Sequence, residues 1–163
     1  MKFSVNQKDL QQSLSYCQGV IEKRSTLPIL SNILLEAHGS KLKITATDLD
    51  LIFINEIDNV EVIEEGKTTT VSSTLYDIIR KFSSGKKINF NLNTENKIQI
   101  ESEKSIFNLN CMSPTEFPLT DENFNDNEFN LNAKHFLKLM NKCKFSISND
   151  ETRHYLSGIY FHQ

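Results

Sequence analysis

Asp48 and Asp50, separated only by Leu49, are the residues of this 163-residue chain whose type and spacing come nearest to chemistry. Two carboxylates so placed could share a cation or divide the roles of acid and base. The same spacing suits a polar turn between strands, and no histidine or third acid is fixed nearby by the sequence. His38, His135, His154 and His162 show no ligand spacing, and the five glycines form neither a phosphate-cradling loop nor a nucleophile elbow. The reading therefore expects no metal, no cofactor and no catalytic constellation. A hydrolase on an α+β scaffold, using Asp48 and Asp50, stands as an alternative.

A different chemistry is purely electrostatic. Residues 133–144 read as a helix with Lys134, Lys138 and Lys142 at steps of four, then Lys144, and no acid. Lys8, Arg80 and Lys81, set against Asp9 and Asp77, extend the bias to two earlier helices. The chain as a whole carries a net charge of -3, so its acids must lie mostly on strands and turns. A basic helical surface neutralises phosphates without reading bases, which gives sequence-independent, salt-sensitive binding. The competing reading is a protein-binding scaffold whose lysines are merely solvated.

The elements that would position these residues follow from periodicity. A short strand over 2–5 leads to Asn6 as helix cap, with Asp9 in the first turn and Leu10, Leu14, Cys17 and Ile21 on one face of a helix reaching residue 20 or 21. Strands are expected over 29–38, 41–47 and 51–60, with turns at Gly39-Ser40 and Asp48-Leu49-Asp50. Leu42, Ile44 and Ala46 alternate inward, as in an antiparallel sheet with one wet face. The order then recurs: a strand over 67–71, Ser72 as cap, a helix with Leu75, Ile78, Ile79 and Phe82 stopped by Gly85, and strands over 88–92, 97–101 and 105–111.

The stretch 121–127 is acidic and polar and reads as a linker. A third copy follows it. A shift of 126 residues brings Phe3-Ser4-Val5-Asn6 onto Phe129-Asn130-Leu131-Asn132, Leu10, Leu14 and Cys17 onto Phe136, Met140 and Cys143, and Ile33-Leu34-Leu35 onto Ile159-Tyr160-Phe161. A third unit ending at Gln163 cannot close its own sheet, so a truncated second domain is expected. Composition, with 38% hydrophobic and 24% charged residues, is ordinary for a globular protein. Three scattered cysteines, no signal-peptide stretch and no membrane-length apolar run predict a soluble, unprocessed, cytoplasmic protein.

The segment Lys23-Arg24-Ser25-Thr26-Leu27-Pro28-Ile29-Leu30-Ser31-Asn32-Ile33-Leu34-Leu35 strongly resembles the N-terminal domain of bacterial beta sliding clamps, the beta subunit of DNA polymerase III. The opening Met1-Lys2-Phe3, Thr45-Ala46-Thr47-Asp48-Leu49-Asp50, Phe117-Pro118 and Thr152-Arg153-His154-Tyr155-Leu156-Ser157-Gly158 resemble family motifs in family order. The resemblance covers the whole chain. It implies an α+β DNA-clamp domain of two strand-helix-three-strand units, with antiparallel sheets outside and helices lining the DNA side. By it, residues 1–121 are clamp domain 1, 122–127 a linker and 128–163 the start of clamp domain 2, with the third domain absent.

The resemblance also implies a non-enzymatic processivity factor. Three such domains join those of a second copy in a ring around duplex or primed DNA, and the ring tethers the replicative polymerase subunit and meets a clamp loader. Arg24 matches a loop arginine that contacts DNA, and the loop 149–155, with aromatic Tyr155, matches a second DNA-touching loop. Three positions depart from the family pattern. His154 stands where many members have tyrosine, Asp150 where a neutral amide is common, and Ser73 where a basic residue often begins the second helix, which predicts weaker single-strand contact. Arg153 and Leu156 match residues lining a cleft for partner peptides, and Ile78, Phe107 and Leu109 match one side of the subunit interface.

Overall fold

A computed structural model of the chain describes residues 1–21, 27–93, 96–118, 130–150 and 152–162. It divides into two compact units, Met1–Thr120 and Asp121–Gln163. In the first, strand β1 (Lys2–Asn6) runs into helix α1 (Gln7–Cys17). The Asn6 side chain accepts the Lys8 N–H at 2.9 Å, the capping bond expected of asparagine at that position. Leu10, Leu14 and Cys17 are fully buried on one face, as their spacing requires. Strands β2 (Asn32–His38), β3 (Lys41–Thr47), β4 (Ile52–Ile57) and β5 (Glu61–Glu64) follow. Then come β6 (Gly66–Val71), helix α2 (Ser72–Ile79), β7 (Lys87–Leu92), β8 (Lys97–Ser102) and β9 (Ser105–Met112).

The sheet order is β4-β3-β2-β6-β9-β8-β7-β1-β5, with every pairing antiparallel. Its logic is an exchange. The two halves superpose in sequence when Lys2–Asn6 is set on Lys67–Val71, which carries Leu10 onto Leu75 and Leu14 onto Ile79. Yet β1 pairs with β7 of the other half, and β6 pairs with β2 of the other half. β4 and β5 end the order at opposite sides but are separated in sequence only by Asp58, Asn59 and Val60, so the sheet curls until its ends meet there. Inside, Phe3 stacks on Phe90 with ring centroids 4.7 Å apart, among Ile33, Leu35, Leu42, Ile44, Ile88, Ile98 and Ile100. Each such side chain contributes about 1.5–3 kcal/mol by leaving water.

Several boundaries differ from the periodic reading. Helix α1 ends at Cys17 and continues as a hydrogen-bonded turn through Ile21, because Gly19 and the β-branched Val20 and Ile21 disfavour another helical turn. β2 begins at Asn32 because Pro28–Ser31 forms a 3-10 turn, Pro28 being set for a turn start. The third strand breaks after Ile57, with Asn59 at φ 58°, and resumes as β5, an element the alternation did not separate. Ser72 is not the cap of α2. Val71 occupies that place without a side-chain bond, and the buried Ser72 hydroxyl accepts instead from Gln18 Nε2 at 2.8 Å. α2 stops at Ile79, short of Phe82 and Gly85.

In the second unit, helix α3 (Ala133–Cys143) is capped by Asn132, whose side chain accepts from the N–H groups of Lys134 and His135. This is the chemistry of Asn6, 126 residues earlier. The strand that the repeat implies at Ile159-Tyr160-Phe161 is not formed: His154–Leu156 is a 3-10 turn and the residues after it have no regular structure. A strand needs a neighbour to take its N–H and C=O groups, and none is formed among this unit's described residues. No described residue of this unit is buried. The predicted linker 122–127 lies outside the described residues. Among those described, no helix is long and apolar enough to cross a membrane.

Glu65 ties the β2–β3 turn to the start of β6: one oxygen accepts the Gly39 N–H at 2.8 Å and the other lies 2.9 Å from His38 Nδ1. The Gly39 N–H foremost, then His38, hold its carboxyl below the ordinary carboxylate range. A lowered folded value stabilises above the unfolded pKa and is lost on acidification. The stability difference between wild type and Glu65→Gln in urea unfolding is therefore expected to be largest near neutrality. It should shrink as pH falls through the lowered folded value; a difference constant with pH would contradict this role.

Candidate nucleic-acid interface

α1 and α2 lie side by side and antiparallel. At one end Gln7 Nε2 donates to the Ile79 carbonyl at 2.9 Å, and at the other Gln18 Nε2 donates to Ser72 Oγ. These amides cross-link the helices, Gln7 from a buried position and Gln18 from a half-buried one, while Leu10, Leu14, Leu75 and Ile79 pack them from below. The outward surface is formed by Lys8, Gln11, Gln12 and Ser15 of α1 and by Ser73, Thr74, Asp77, Arg80 and Lys81 at α2 and its end.

Geometry lowers the basic bias expected of these two helices. Arg80 Nη2 stands 3.0 Å from Asp77 Oδ1, one turn earlier, with its guanidinium 5.9 Å from the Tyr76 ring centre. The pair is half exposed, so it is worth little in stability, but it offsets the charge of Arg80. Ser73 is exposed at the start of α2 and supplies no cation there. The surface is richer in amides than lysine counting implied. The row of glutamines on α1 was the sequence signal for it.

On α3 the expectation of a basic stripe holds. Lys134, Lys138 and Lys142 are exposed along one face and line a shallow depression with His135, Leu137 and Asn141. None of the three lysines forms an ion pair among the described residues. Leu137 and Leu139 remain about 60% exposed, so the helix has an uncovered apolar side as well.

The loop after α3 is organised by Asp150. Its Oδ1 accepts the Thr152 N–H at 3.0 Å and the Thr152 hydroxyl at 2.7 Å, the hydroxyl first and then the N–H holding the carboxyl below its usual range. Arg153 Nε lies 3.5 Å from the other oxygen. Asp150 thus shapes the loop and partly occupies Arg153. Tyr155, 82% exposed, presents an open ring. Leu156 is exposed rather than core, and its N–H is held by the Arg153 carbonyl at 2.8 Å. Arg24 and the His154 side chain lie outside the described residues.

Of the residues matched to a subunit interface, Phe107 and Leu109 lie on β9 and Ile78 on α2. Phe107 is 40% exposed and meets Phe82 edge-on at 5.9 Å, Ile78 is half-buried, and Leu109 packs against the core. β9 pairs with β8 from Ser105 to Asn110, but with β6 only through Cys111 and Met112. Most of its second edge therefore has no strand partner among the described residues. Sequence reasoning gave Phe82 only a place on the apolar face of its helix and passed over Ile106, which is exposed.

Asp48 is a turn former: its Oδ1 accepts the Asp50 N–H at 3.0 Å and the Leu51 N–H at 2.6 Å, while Leu49 adopts φ 85°. One oxygen of its carboxylate is engaged by main chain, as the polar-turn reading expects. Among the described residues no three His, Cys, Asp or Glu side chains group as a metal site.

The family profile described as the DNA polymerase III beta subunit, N-terminal domain, matches residues 1–121. The chain belongs to that family. The beta sliding clamp of Caulobacter vibrioides is 34% identical over 163 residues, spanning 99% of this chain and 44% of that protein. That of Escherichia coli K12 is 32% identical over 161 residues, with the same shares. Among solved structures, Caulobacter crescentus pol III beta superposes with a TM-score of 0.92 at 34% identity, covering 99% of this chain and 43% of its own. A sliding clamp from Bartonella birtlesii bound to griselimycin gives 0.93 at 35% identity, with coverage of 99% and 43%. The chain thus spans less than half the length of the sliding clamps it matches.

The three cysteines of this beta-subunit chain differ sharply in environment. Burial pushes the Cys17 thiol up to about 12 and raises Cys111, whereas Cys143 is exposed. In thiol labelling under native conditions Cys143 should react first, Cys111 slowly, and Cys17 only on unfolding. Rapid modification of Cys17 in the native state would contradict the packing of α1.

Proposed function

We propose that this chain forms part of a DNA sliding clamp, a processivity factor that encircles duplex DNA and tethers a replicative polymerase. Membership of the beta-subunit family across residues 1–121 carries the reading. On it, residues 1–121 are the first clamp domain, 122–127 a linker and 128–163 the opening of the second. The protein acts without catalysis, in the cytoplasm, and its partners are duplex and primed DNA, a second copy of itself, a polymerase subunit and a clamp loader.

The physical argument is one of loose contact. Lysines on α3 and the amide and basic surface of α1 and α2 attract phosphate without reading bases, so a ring can remain bound and still move. Arg24 and Tyr155 add loop contacts, the tyrosine by stacking on an unpaired base. Ser73, Asp150 and His154 contribute less than their counterparts in relatives. Arg153 and Leu156 belong to a peptide cleft. Ile78, Phe107 and Leu109, with the open edge of β9, meet the second copy.

The deciding experiment loads the full-length protein onto nicked circular DNA and then cuts the circle once. Loss on cutting is expected of a topological ring, and equal retention on both forms would overturn the reading. Replacing Lys134, Lys138 and Lys142 together by alanine should reduce the slope of log affinity against log salt by roughly 2–3, about 0.9 for each phosphate no longer neutralised. Restoring tyrosine with His154→Tyr should raise affinity for primed DNA over duplex; an unchanged ratio would remove position 154 from the DNA-binding surface.

A further inference from the structure

Arg80 enters the DNA-facing surface already engaged. Asp77 stands one helical turn before it on α2, and the two exposed side chains meet at 3.0 Å. The Tyr76 ring, with its centre 5.9 Å from the guanidinium carbon, gives the arginine a second neighbour. Tyr76 is half-buried, packed against the core, so it is a fixed wall rather than a mobile neighbour. Nearby, Lys81 is exposed and makes no ion pair among the described residues. Of the two cations ending α2, one therefore carries a built-in counter-ion and the other does not.

We propose that Asp77 is a positioning residue for DNA contact, holding Arg80 in an intrahelical ion pair that weakens its grip on phosphate and keeps the helical surface slippery. The proposal rests on the sliding-clamp reading and deepens it. A guanidinium has five N–H donors, so pairing with one carboxylate leaves donors for a phosphate. The adjacent negative charge nevertheless repels that phosphate and competes for the same cation. Counter-ion release makes the distinction measurable: a phosphate neutralised by Arg80 adds about 0.9 to the salt slope, whereas an arginine already neutralised by Asp77 adds less. A surface pair of this exposure is weak enough to exchange, so Arg80 alternates between Asp77 and phosphate instead of locking onto either.

The test is a double-mutant cycle in the full chain, reading binding to a short fluorescent duplex across a range of low to moderate salt. Asp77→Asn should bind about two- to fivefold more tightly at low salt, the size of a surface ion pair. Its salt slope should steepen by up to about 0.9. Both changes should vanish in an Arg80→Gln background, while Arg80→Gln alone binds more weakly. If Asp77→Asn changes nothing while Arg80→Gln weakens binding, the positioning role is overturned and the DNA contact stands. If Arg80→Gln also changes nothing, Arg80 does not meet DNA, and the part of the clamp reading that places it there fails with the proposal. An equal gain from Asp77→Asn in both backgrounds would reduce the effect to bulk charge and overturn the proposal too. Circular dichroism of each variant, expected unchanged, separates these outcomes from loss of α2.

Discussion

β1 and β6, the first strands of the two halves, each bridge the halves: β1 lies between β7 of the other half and β5 of its own, and β6 between β2 of the other half and β9 of its own. Every later feature depends on that exchange. Neither half can satisfy its backbone groups alone, so the doubled sequence forms one cooperative body instead of two. The exchange also aims the helices. α1 leaves β1 and α2 leaves β6, and strands placed symmetrically on opposite sides deliver two antiparallel helices to the same surface, where Gln7 and Gln18 stitch them together.

The halves are alike in architecture and unlike in chemistry. β1 buries Phe3, Ser4 and Val5 where β6 buries Thr68, Thr69 and Thr70. Threonine suits the second position because β6 lies between β2 and β9, and buried hydroxyls there find partners: Thr69 Oγ1 donates to the Met112 carbonyl and accepts from Asn32 Nδ2. Phe3 instead stacks on Phe90 and fills the space between its sheet and α1. A duplicated backbone has thus been packed in two different ways around one core.

Charge is distributed with similar restraint. Several exposed strand and turn residues pair locally, as Lys41 does with Glu56 and Asp58 and Lys87 with Glu61. On α2 the Asp77–Arg80 pair extends this restraint to the helical surface, and on α3 the lysines are left without acids. On the proposed clamp reading such grading is useful, because tight binding at every cation would oppose movement along a polyanion.

Much of this was legible in the chain. Period-two and period-3.6 patterns located the strands and helices, asparagine marked the starts of α1 and α3, and the 126-residue repeat anticipated a second capped helix with the same apolar steps. These are local properties, set by the preference of each residue for its own backbone and by which face must leave water. The partner of each strand was not legible, since an antiparallel ladder can form with any strand of matching pattern, and only the closed core selects β7 for β1. Ser72 lost its cap role to Gln18, and Asp77 neutralised Arg80, through interactions that a count of residue types does not contain. Sequence alone determined the elements, the duplication and the basic α3; the tertiary structure decided the strand exchange, the pairing of helices and which charges remain free, because those depend on distances between side chains that only packing brings together.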